Sequence, residues 1–130
     1  MAHLYPVQLD PEEDGGYVVT LPDIGYGATQ GDTLEEAILG MIANKEEVPA
    51  PSPARGRPAV RLPPLTAAKL ELYRAMRQAG LDEAHLAQRL GWPPKKITHI
   101  LDGYHVVRLE QLEAALAALG RRFVVTSEPA

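Results

Sequence analysis

Cysteine is absent from the 130-residue chain, which removes disulfide frameworks, thiol catalysis and thiolate metal sites together. Serine occurs only at 52 and 127, with no histidine beside either, so nucleophilic catalysis has no footing. The four histidines, at 3, 85, 99 and 105, lack the paired spacing of a zinc site. The longest unbroken apolar run, residues 114–119, falls far short of the roughly 20 that a membrane helix needs. Met1-Ala2-His3-Leu4 has neither the basic start nor the apolar core of a secretory signal, so the cytoplasm is the expected location. No cofactor, no metal and no membrane partner are expected.

Basic residues are scarce at the start of the chain. Residues 1–48 hold one lysine against ten acids, a charge of −9. Residues 1–65 carry four basic and ten acidic residues (−6), whereas 66–130 carry nine and seven (+2), giving the net −4. An acidic half repels nucleic acid and attracts a basic partner. Halves so different in charge are expected to serve different partners.

Proline, by contrast, is plentiful and clustered. Six of the twelve prolines lie within residues 49–64. Proline has no amide hydrogen and disfavours helix in the residue before it, so 49–65 reads as an extended, semi-rigid linker. It divides the chain into domains at 1–48 and 66–130.

Within 1–48, residues 3–9 and 17–21 suit strands around a turn over 10–16, and 26–30 suits a short third strand. Asp32 or Thr33 is placed to cap a helix over 34–44, with Glu35 and Glu36 at the positive end of its dipole. Another short strand is expected near 47–49. After the linker, Thr66 is placed to cap a helix reaching Gln78, and Asp82 one over 83–90 that Gly91 stops. Pro94 fits the first turn of a helix to Leu101, and Leu109, Leu112, Leu116 and Leu119 form the stripe of a fourth. Residues 121–126 read as a closing strand. The fold class is α+β: a small β-β-β-α(-β) domain followed by a helical one.

The segment from Leu86 to Gly103 carries the most chemistry. Leu86 and Leu90 on one helix, and Ile97, Ile100 and Leu101 on the next, are spaced to pack two helices across a short turn. Ala87 is small where the helices approach, and Gly91 accepts the turn. Lys95, Lys96, Thr98 and His99 are left facing outward, where a recognition helix needs side chains that reach phosphates and base edges. This pattern resembles the helix-turn-helix of the Cro and lambda-repressor-like family. Pro94 stands where many members place a base-reading glutamine, which shifts readout onto those four residues. Gln88, His105 and Arg108 complete the candidate DNA-binding set. Trp92, in the turn, reads as a packing plug.

Gly-Gly-Tyr-Val-Val at 15–19, Pro22-Asp23, and Thr-Gln-Gly-Asp-Thr-Leu-Glu-Glu-Ala at 29–37 resemble the HicB-type antitoxin domain. The resemblance implies a partial ribonuclease-H-like sheet without the nuclease site, which binds a small basic RNA-cleaving toxin, HicA. It implies that the other half represses the operon by binding a palindromic operator. Tyr17, Asp23, Gln30, Asp32 and Glu35 are the toxin contacts it suggests. The chain is expected to be a dimer or higher oligomer, joined by 121–126 pairing with its own copy through Leu116, Leu119, Phe123 and Val125. The alternative is that 121–126 folds back on the amino-terminal sheet.

Other functions are weaker fits. Asp10, Glu12, Glu13 and Asp14 sit in one turn and splay into water, and do not converge with Asp23 on a metal as nuclease chemistry requires. A transcriptional regulator whose sheet domain senses a ligand or another protein fits the second half equally well. The chain is not expected to be an enzyme.

Overall fold

The computed structural model describes residues 3–13, 15, 17–24, 34–103, 105 and 107–129. They fall into two compact units, Met1–Ala67 and Ala68–Ala130.

The first unit contains β1 (Leu4–Pro6), β2 (Gln8–Pro11), β3 (Tyr17–Thr20), α1 (Leu34–Ala43) and β4 (Ala59–Arg61). Its strands form two antiparallel pairs, β1 with β4 and β2 with β3. The single strand expected over 3–9 is therefore divided at Val7, where the chain leaves one partner for another. Tyr5 stands opposite Val60, and Leu9 opposite Val19. Leu34, Ile38, Met41 and Ile42 recur at helical spacing on α1 and are all buried. Tyr5, Val7, Leu21, Ile24, Val48 and Leu62 complete this core. The third strand at 26–30 and the caps Asp32 and Thr33 lie outside the described residues.

The linker reading of 49–65 requires correction. Residues 59–61 pair with β1, Val7 donates its N–H to the Pro58 carbonyl at 2.8 Å, and Leu62 donates to the His3 carbonyl at 2.9 Å. The ladder tolerates so proline-rich a segment because Pro58 and Pro63 flank Ala-Val-Arg, and Pro58 contributes only its carbonyl. No strand forms near 47–49. There the Tyr5 hydroxyl donates to the Pro49 carbonyl at 2.7 Å and holds the segment down.

Helix α2 (Pro64–Ala79) begins in the first unit and runs into the second, which adds α3 (Glu83–Leu90), α4 (Pro94–Leu101) and α5 (Leu109–Ala117). Thr66 is not the cap of α2. The helix starts two residues earlier at Pro64, where a missing N–H costs nothing. Thr66 is buried, and its hydroxyl donates to Glu35 Oε1 at 2.8 Å. The Asp82 carboxylate caps α3 by accepting the His85 N–H at 2.8 Å. Gly91 ends it at φ 69°, a left-handed conformation that costs other residues about 1–2 kcal/mol.

The second core gathers Leu70, Leu72, Met76, Leu86, Ala87, Ile97, Ile100, Leu101, Leu112 and Leu116. Full burial of any one of the larger aliphatic side chains contributes about 1.5–3 kcal/mol. Residues 121–129 have no regular structure, so the strand expected at 121–126 is absent from the single chain. A strand needs an edge to pair with, and the described residues of the second unit contain no other strand. Val124 and Val125 are 78% and 84% exposed.

Candidate nucleic-acid interface

Helices α3 and α4 pack through Leu86, Ala87, Ile97, Ile100 and Leu101, which fixes what the opposite side of α4 presents. Pro93 and Pro94 set the first turn of α4 without a side-chain cap, so Lys95 and Lys96 follow at once in a pre-set helix. Lys95 and Thr98 are exposed one turn apart, while Lys96 and His99 are half-buried. The Lys96 ammonium lies 4.1 Å from the centre of the Trp92 ring, a cation–π contact that restricts a long side chain. Trp92 is thus more than a packing plug.

Each of the other two outward side chains also has a partner. The Thr98 hydroxyl donates to Glu83 Oε2, on the first turn of α3. The His99 ring stacks on that of His105, centroids 4.0 Å apart and planes 12° from parallel. His105 is itself fixed by the Asp102 carboxylate, 2.9 Å from its backbone N and 2.6 Å from ring Nδ1. The buried Lys69 of α2 donates to the Asp102 carbonyl, tying the end of α4 to the core. Of the candidate DNA set, Lys95, Lys96, Thr98 and His99 share α4, and His105 joins them through the stack. Gln88 is exposed on α3, and Arg108 is exposed just before α5.

Glu83, Asp102 and Lys69 were not singled out from the sequence. A local signal existed only for Asp102, because Asp102 and His105 repeat the spacing of Asp82 and His85.

In the first unit, Asp23 accepts the Ser52 N–H at 2.7 Å and the Ser52 hydroxyl at 2.9 Å. Glu35 accepts from Thr66. Both candidate toxin contacts therefore also hold their own unit together. Tyr17 lies in β3, and Gln30 and Asp32 are outside the described residues. Among the four suggested dimer contacts, Leu116 is 2% exposed and belongs to its own core, which leaves it little surface for a second copy. Leu119 and Phe123 are half-buried, and Val125 is exposed. No described helix is long and apolar enough to cross a membrane.

A helix-turn-helix domain family matches residues 66–122, which takes in α3 and α4. Similarity to known proteins extends over nearly the whole chain. Antitoxin HicB 1 of Photorhabdus laumondii is 33% identical, covering 95% of this chain and 86% of that protein. Antitoxin HicB of Escherichia coli (strain K12) is 31% identical, covering 90% of this chain and 94% of its own length. Antitoxin HicB of Pseudomonas fluorescens is 33% identical, over 92% and 90%.

Proposed function

This chain belongs to the HicB antitoxin family, and from that premise we propose that it neutralises a small, basic, RNA-cleaving toxin of the HicA kind and represses its own operon. The observation that carries the reading is similarity to antitoxins along nearly the full length, in a chain whose helix-turn-helix exposes a basic recognition helix.

The charges favour this division of labour. Residues 1–67 carry four basic and ten acidic residues (−6), which speeds encounter with a cationic ribonuclease. Tyr17, Asp23, Gln30, Asp32 and Glu35 are the proposed toxin contacts. Asp23 and Glu35 serve as carboxylates already fixed by Ser52 and Thr66, so binding costs little further side-chain ordering. In the second unit, Lys95 and Lys96 meet phosphates, Thr98 and His99 face base edges, and Gln88, His105 and Arg108 flank the backbone. One such helix reads few bases, and a dimer places two about 34 Å apart on a palindromic site. The residues after Gly120, with Leu119, Phe123 and Val125, are the proposed joint.

Co-expression of the full chain with the small basic protein encoded beside it tests the reading. Growth should be restored and the two proteins should co-purify. Continued arrest in the presence of folded, abundant chain refutes neutralisation.

A further inference from the structure

Glu83 places a carboxylate on the face that is to meet a polyanion. Charge alone makes that unfavourable, so its position calls for a chemical reason. Its carboxylate takes the only proton of the Thr98 hydroxyl. A hydroxyl has one donor and two acceptor lone pairs, and an ionised carboxylate has acceptors only. With its proton committed, Thr98 offers nothing but lone pairs. Thr98 is exposed on α4, one turn beyond the exposed Lys95. The pair thus meets an incoming duplex as a patch of acceptors beside a cation.

In the major groove, cytosine N4 and adenine N6 are the amino donors, whereas guanine and thymine present acceptors there. We propose that Glu83 and Thr98 form a base-reading pair that selects cytosine or adenine at one position of each operator half-site. The proposal rests on α4 being the DNA-reading helix. Glu83 is its specificity determinant, in two ways: it occupies the proton that Thr98 would otherwise donate to guanine or thymine, and it repels phosphate, which weakens the sequence-independent part of binding.

The test uses the full-length protein and the DNA segment upstream of its gene, with each base pair replaced in turn at one salt concentration. Wild-type protein should bind about tenfold more weakly when the position facing Thr98 carries guanine or thymine. Glu83→Gln, whose amide can donate as well as accept, should flatten that preference and tighten binding to unrelated DNA. Thr98→Val, on the exposed side of the helix, should flatten the same position and serves if the Glu83 variant does not fold. Loss of a favourable charge at the start of α3 would lower stability without changing preference at a single base, so the base profile separates the two roles. A Glu83→Gln profile matching wild type at every position, while Lys95/Lys96→Ala weakens binding to every sequence, overturns the pair and leaves α4 as the reader. Unchanged binding by the lysine variant removes α4 itself, and the pair with it.

Discussion

Ser52 gives both its backbone N–H and its hydroxyl to Asp23, and Arg57 closes the other side with Nη2 donating to the Pro53 carbonyl at 2.9 Å. One carboxylate thereby secures the middle of a segment that has few amide hydrogens of its own. Removing Asp23 strands both Ser52 donors, whereas removing the Ser52 hydroxyl leaves the backbone bond in place and costs the exposed Arg57 Nη2 one acceptor, 3.3 Å away. Asp23→Ala should therefore cost about 1–3 kcal/mol and Ser52→Ala about 0.5–1.5 kcal/mol. Urea unfolding of the two variants checks the order, and equal losses would mean that the hydroxyl alone matters. A variant that loses both stability and neutralisation says nothing about contact, so the stability measurement must accompany any growth assay.

At the scale of elements, β4 redraws the boundary of the first unit. Its pairing with β1 and the burial of Leu62 mean that a fragment ending at 48 lacks part of its own sheet and core. The Val7 amide, bonded to Pro58 in the full chain, should exchange slowly there and rapidly in a 1–48 fragment. Protection retained in the fragment would show that β4 is dispensable. The helices of the second unit were legible because their signals are local: the Asp82 cap, the Gly91 stop, Pro94 in a first turn, and apolar residues at helical spacing. The β1–β4 pairing was not, because composition around 49–64 specifies extended backbone and is silent on where it docks. Residues 121–126, irregular in the single chain, are the converse case. Their β-branched side chains favour a strand, but a strand also needs a partner, which no local pattern supplies. The Glu83–Thr98 contact was hidden for a third reason. It exists only because α3 and α4 cross so that the first turn of one meets the middle of the other.

For the whole molecule, the units carry opposite net charge: −6 over residues 1–67, and +2 over 68–130 from nine basic and seven acidic residues. DNA binding should weaken with salt, and Lys95/Lys96→Ala should reduce the slope of log affinity against log salt by about two if both lysines meet phosphates. An unchanged slope in the folded variant would place the phosphate contacts elsewhere. Removing residues 121–130 should leave the helical core intact, since Val124 and Val125 contribute almost nothing to it, while lowering the mass in solution to that of one chain. A truncated protein that remains dimeric assigns the joint to another surface.

Trp92 is the single tryptophan of the chain, and the Lys96 ammonium rests over its ring. The protein therefore carries an intrinsic optical probe just before α4, the proposed recognition helix. A cation held against an indole alters the energy of its excited state, so emission should shift when Lys96 leaves the ring for a phosphate. Titration of the unlabelled protein with upstream DNA should give a saturable change in tryptophan fluorescence. Lys96→Ala, with no cation to withdraw, should begin near the bound spectrum and change little. Flat emission from wild-type protein during a titration that demonstrably forms the complex would mean that Lys96 stays on the ring, and that of the two lysines only Lys95 answers the backbone.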